Sequence, residues 1–234
     1  MSKIITNQTI LIVGASRGIG LGLVKEYLSR QWRVIATERV LSDSSDLALL
    51  ALASDGNLRV EQVDINRREE ITNLAERLRD VSLDVLFINA GVSDDPEQTI
   101  NQISTEEFVH LMVTNALSPL RSIEVLSNLV KPKGCIAAMS SALASVSSNT
   151  SGGYEVYRAS KAALNMLLRS YAARAGNDRT IFALMPGWVR TSMGGLDAPI
   201  DVETSAKGLS DTINNHAGQS GLFFVDFQSQ AIPW

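Results

Sequence analysis

The chain alternates short apolar, β-branched runs with longer amphipathic ones from end to end, and few folds accept that pattern. The runs TILIV (9–13), RVIAT (33–37), LRVEQV (58–63), LDVLFI (83–88), GCIAAM (134–139), TIFALM (180–185) and GLFFV (221–225) have the length and composition of strands. Helical spacing fills 18–30, 44–54, 68–79, 105–130, 154–175 and 202–216 between them. Strands apolar on both faces must be covered on both faces, and helical crossovers make neighbouring strands parallel. Right-handed crossovers then give a doubly wound, Rossmann-like α/β sheet of about seven strands, with a ligand site beyond the strands' carboxyl ends.

The 234 residues suit a single domain spanning 1–234, without linker, repeat or low-complexity block. Three segments that follow strands read as loops and as walls of a substrate site: 92–104, 141–153 and 186–201. Their Gly, Ser and Met content offers no distinctive charged anchor, so a mostly apolar pocket is expected. A net charge of -4 without a basic run disfavours nucleic acid and anionic membrane as partners. The lone Cys135 cannot form an internal disulfide, and His110 and His216 are too far apart in sequence to suggest a zinc site. MSKIITNQT has no apolar signal core and no run reaches membrane-spanning length, so the expected location is cytoplasmic.

Two segments carry chemistry. The first strand runs into Gly14-Ala15-Ser16-Arg17-Gly18-Ile19-Gly20 and then a helix. Glycines there let backbone approach a phosphate, and the helix N-terminus presents free N–H groups and a positive dipole end. The spacing is GxxxGxG, and a plain strand–helix turn would use glycine as well. Further on, YEVYRASKAALN places Tyr157 and Lys161 one turn apart on one helix face. A phenol beside an ammonium can exchange a proton with a carbonyl or alcohol oxygen. Many surface helices carry such a pair, so its weight comes from its surroundings. Tyr154 has Arg158 rather than Lys four residues on and reads as a pocket or core residue.

With these motifs in order, the chain resembles the classical short-chain dehydrogenases/reductases from Thr9 to at least Thr191. Gly14 to Gly20 is similar to the family's glycine motif, and Asn89-Ala90-Gly91 to its NAG motif. Asp64, followed by Ile65, matches the adenine-side acid after the third strand. Asn115, Ser140-Ser141, Tyr157 and Lys161 match the catalytic positions, and Pro186-Gly187-Trp188-Val189 with Thr191 matches the segment that holds the nicotinamide. NTSGGYEVYRASKAALNM, MPGWVRTSMGG and the ending IPW resemble more narrowly the C-factor and sniffer-type carbonyl reductase branch. Two positions depart: Val13 replaces the usual Thr before the first glycine, which removes a supporting hydrogen bond, and Ile88 replaces the first Asn of NNAG.

The resemblance implies roles. Tyr157 is the proton donor; Lys161 lowers its pKa and holds the nicotinamide ribose; Ser141, favoured over Ser140, binds the carbonyl oxygen; Asn115 holds a relay water. At the end of the second strand Glu38 signals NAD(H), whereas Arg39 beside it and Arg17 in the glycine loop signal the 2′-phosphate of NADP(H). Two Arg against one Glu favour NADP(H), with NAD(H) open because of Glu38. Trp188 is expected to line the pocket, and Trp234 to pack on the core or on a partner subunit. The implied activity is NADPH-dependent reduction of small or medium aldehydes and ketones. The alternative is a nucleotide-binding signalling protein of C-factor type with little turnover. The resemblance leaves a homodimer or homotetramer open.

Overall fold

The computed structural model describes residues 8–175 and 178–234. Seven parallel strands form one sheet in the order β3-β2-β1-β4-β5-β6-β7: β1 Thr9–Val13, β2 Arg33–Glu38, β3 Leu58–Gln62, β4 Leu83–Ile88, β5 Val130–Met139, β6 Thr180–Met185 and β7 Gly221–Asp226. The helices are α1 Gly18–Ser29, α2 Asp46–Ala53, α3 Arg68–Arg77, α4 Thr105–Met112, α5 Ser118–Leu126, α6 Glu155–Ala175 and α7 Val202–Asn215.

Alternate residues of each strand feed opposite cores, as a pleat requires. Leu11, Ile35, Leu86, Ile136 and Ile181 face α3, α5 and α6 through Ile71, Leu74, Ile123, Leu164 and Leu168. Ile10, Ile12, Val34, Phe87 and Phe182 face α1, α2 and α7 through Leu23, Tyr27, Leu47 and Leu209. Among the described residues, no helix is long and apolar enough to cross a membrane.

Two expectations need correction. The helix read over 105–130 is broken. A π-turn, Val113–Leu117, separates α4 from α5, and a 3₁₀ turn, Ser127–Leu129, ends the segment. Pro119 has no N–H to offer the carbonyl four residues earlier, that of Asn115, so regular α-bonding cannot pass this point. The fifth strand starts four residues early, because Val130 pairs with Leu83 before the register shifts between Leu83 and Val85. That irregularity accommodates Pro132 in an interior strand.

Candidate active site

The strand order reverses between β1 and β4, and a cleft opens there beyond the carboxyl ends. Its outer end is made by backbone. After Val13 the chain turns at Gly14, whose φ is +87°, and a Cβ there would lie 2.8 Å from the Ala90 backbone. The Gly14 N–H donates to Thr37 Oγ1 at 3.0 Å, so β2 supplies the hydrogen bond that Val13 cannot. Asn89 Nδ2 donates to the Gly14 carbonyl at 2.6 Å and ties the NAG segment to the glycine loop. Gly20 does not line the cleft; a Cβ there would sit 2.3 Å from the Gly14 oxygen, so its role is to let α1 close on the turn.

The N-terminus of α1 has no side-chain cap and no acid in its first turn. Its free N–H groups and dipole therefore favour an anion, with Ser16, Gly18 and Ile19 lining the cleft beside them. Arg17 and Arg39 stand exposed at the same end, with no carboxylate partner among the described residues. Glu38 lines the cleft and pairs with no arginine among the described residues. It is buried at 5% exposure and accepts from Ser45 Oγ at 3.0 Å, while Ser45 also accepts from the Ala48 N–H and caps α2. Asp64 and Ile65 line the neighbouring wall; Asp64 Oδ1 is engaged by the Asn66 N–H at 2.9 Å.

Side chains make the inner end. Lys161 is 3% exposed, and its Nζ donates to the Met139 carbonyl at 2.8 Å. Its Nζ lies 5.7 Å from the Tyr157 ring centroid. Both line the cleft, with Ala90 and Gly91 between them and the glycine loop. Burial takes the Lys161 ammonium down to about 8. Burial also pushes the Tyr157 phenol up to about 12, against a lowering hydrogen bond from Ser141, with the Asp94 charge adding to the rise. Burial is thus the leading influence on both groups, raising the phenol and lowering the ammonium beside it.

The two serines after β5 are separated by the fold. Ser140 is 1% exposed and its Oγ donates to Asn165 Oδ1 at 2.7 Å. Ser140 nevertheless lines the cleft, whereas Ser141 lies outside its lining and hydrogen-bonds the phenol. Asn115 is fully buried at the π-turn, where its amide brackets Val92. It accepts from the Val92 N–H at 2.9 Å and donates to the Val92 carbonyl at 2.8 Å and to Ser160 Oγ at 2.9 Å. A Cβ on Gly91 would touch both Asn115 Oδ1 and Lys161 Nζ, at 3.2 and 3.3 Å, so a side chain here would make these two groups give by a few tenths of an ångström.

Pro186 and Thr191 border the cleft, and Thr191 Cγ2 lies across from Gly18, bringing the 186–201 segment over the glycine loop. Gly187, Trp188 and Val189 do not line it. Gly187 packs against Ile200 and Phe227, Val189 is 4% exposed and bridges Ile200, and Trp188 is 56% exposed with its indole N–H on the Gly194 carbonyl. Trp234 packs on Phe224 with Arg169 over its ring, so it meets its own core.

Sequence reasoning passed over Asn66, Thr114, His110 and Met193, all of which line the cleft. Asn66 is a tertiary strut, donating to Thr114 Oγ1 and accepting from Ser118 Oγ, and no local motif announces that. Beyond Val92 and His110 the cleft continues into a depression walled by Asp94, Asp95, Glu97, Glu106 and Glu107. The mostly apolar, anchor-free pocket expected from composition is therefore bordered on this side by carboxylates.

Residues 8–198 match the family described as short chain dehydrogenase. The chain belongs to that family. It is 35% identical to the C-signal protein of Myxococcus xanthus over 65% of this chain and 93% of that one. Among solved structures, a Burkholderia multivorans protein described as a short-chain dehydrogenase/reductase, with bound NADP, is 44% identical with a TM-score of 0.94, covering 98% of this chain and 100% of that one. A carbonyl reductase from Pseudomonas aeruginosa PAO1 in complex with NADP is 39% identical with a TM-score of 0.90, covering 98% and 100%. These similarities bear out both the short-chain dehydrogenase assignment and its narrower C-factor and carbonyl reductase branch.

Proposed function

We propose that this chain is an NADPH-dependent oxidoreductase that reduces the carbonyl of small or medium aldehydes and ketones, with Tyr157 as proton donor. One observation carries the reading. Tyr157, which Ser141 hydrogen-bonds, and Lys161 line the inner end of a cleft whose outer end is an uncapped helix N-terminus flanked by two arginines with no carboxylate partner among the described residues. The similar NADP-bound structures support the same reading.

Bound NADPH would supply the hydride. The chain's residues do the rest. A phenol pushed up to about 12 stays protonated at neutral pH and can give its proton to a nascent alkoxide. Ser141, beside it, donates to the carbonyl oxygen as charge develops there. Lys161 reaches the ribose hydroxyls, and the Asn115 carbonyl, deprived of a helix partner by Pro119, accepts a water on the proton path. The α1 N-terminus takes the pyrophosphate, with Asp64 and Ile65 at the adenine. Arg17 and Arg39 hold the 2′-phosphate beside Glu38, which lines the same wall with one carboxylate oxygen held by Ser45.

The similarity to C-signal favours a second reading, a nucleotide-dependent signalling protein with little turnover. Fluorescence titration with NADPH and NADH, followed by a panel of aldehydes and ketones, separates the two. NADPH binding with turnover is expected. Tight binding with no turnover across the panel would favour the signalling reading, and failure to bind either nucleotide would overturn both.

A further inference from the structure

The turn that delivers the chain into α6 is unusual. Gly152, Gly153 and Tyr154 have φ of +68°, +70° and +50°, and the last is costly for a residue with a side chain. The α6 cap comes from 62 residues away: Asp94 Oδ2 accepts from the N–H of Val156 at 3.0 Å and of Tyr157 at 3.1 Å. Two further bonds dock the same loop on the same turn. The Tyr154 N–H donates to the Pro96 carbonyl at 3.1 Å, and the Ile100 N–H donates to Glu155 Oε2 at 2.7 Å. The other oxygen of Asp94, Oδ1, is buried without a partner. A carboxylate kept in this state serves its position, since an isolated buried oxygen costs stability.

We propose that Asp94 is a positioning residue for the proton donor: it caps α6 in trans, fixes the Tyr157 backbone, and lays a negative charge beside the phenol. The inference rests on the reading of Tyr157 as proton donor. The titratable groups around that phenol are Lys161 on its own helix, Tyr154 on the preceding turn, Asp94 after β4 and His110 on α4, which lines the same cleft. Asp94 is the only carboxylate of the set. A negative neighbour opposes formation of phenolate. Asp94 therefore adds to the burial that keeps Tyr157 protonated, the state that reduction requires.

Two variants separate position from charge. Asp94→Asn keeps an acceptor for the two N–H groups and removes the charge; Asp94→Ala removes both. The measurements are NADPH affinity by fluorescence, the thermal midpoint, and kcat against pH for oxidation of the alcohol matching a ketone that the wild type reduces. Oxidation uses phenolate, so its rate climbs with pH toward the Tyr157 pKa. Asp94→Asn should move that rise to lower pH by about half a unit with NADPH affinity held. Asp94→Ala should lower kcat about tenfold to a hundredfold, because the phenol is no longer held in place. A wild-type pH profile in Asp94→Asn, or wild-type kcat in Asp94→Ala, overturns the proposal; if Asp94→Ala does not fold, the Asp94→Asn profile decides. Tyr157→Phe run alongside keeps the cases apart. Full activity there defeats the proton-donor reading itself, whereas an inactive Tyr157→Phe with a normal Asp94→Asn defeats only the role of Asp94.

Discussion

Two helix N-termini bear on one cleft, and they are finished in opposite ways. At α1 the N-cap position belongs to Arg17, no side chain caps the helix, and the first turn holds no acid. At α6, Asp94 occupies two of the free N–H groups and Glu155 stands in the first turn. The same dipole thus yields an open anion site at one end of the cleft and a closed, negatively guarded end at the other. On the proposed function this difference would orient NADPH, its phosphates toward α1 and away from the phenol. Backbone builds the first site, and long-range side-chain contacts build the second.

The largest break in this pairing is expected at Tyr157. Tyr157→Phe keeps the ring and removes the proton, so turnover should fall by about a thousandfold or more while NADPH binding, measured by fluorescence, persists. Next comes a swap of character. Arg17 already has the extended backbone of an N-cap, so Arg17→Asp would give α1 the finish that α6 has. NADPH affinity should drop by about a hundredfold, with the helix stabilised by about 1 kcal/mol, read as a higher thermal midpoint. Retained affinity would remove the α1 N-terminus from the account. Arg39→Ala is the milder test: about a tenfold loss of NADPH affinity and little change for NADH, since the ligands differ only in the 2′-phosphate.

The smallest effect concerns the buried cation. Lys161 is taken from 10.5 to about 8 in the folded chain. Between those values the unfolded chain binds the extra proton and the folded one does not, so this group's contribution to stability rises with pH across that window. The thermal midpoint of the wild type, relative to Lys161→Met, should therefore climb by a few degrees between pH 8 and pH 10. A constant difference would show that Lys161 keeps its proton, and with it a closer hold on Tyr157.

The positions of Tyr157 and Lys161 were legible because helix geometry converts a four-residue spacing into a shared face. Gly14, Gly18 and Arg17 were legible because a strand–turn–helix leaves few ways to place them. Ser141 over Ser140 came from resemblance; in the fold Asn165 binds the Ser140 hydroxyl, Ser141 meets the phenol, and Ser140 still lines the cleft. Trp188 and Val189 were misplaced because sequence proximity to the Pro186-Gly187 turn does not say which way a loop faces; the Val189–Ile200 bridge does. The broken helix at 113–117 could have been read from Pro119, but the bracket of Asn115 on Val92 could not.

The sequence by itself determined the layered sheet, its strand count, and the two motifs at the carboxyl ends, because periodicity and glycine placement act over a few residues. Only the tertiary structure decided how those motifs are tuned. Thr37 accepts the Gly14 N–H, Ser45 engages Glu38, Asn66 braces the α4–α5 break, and Asp94 caps α6. Each of these is a contact between chain segments that only the sheet brings together, and the burial that shifts Tyr157 up and Lys161 down exists only once it has formed.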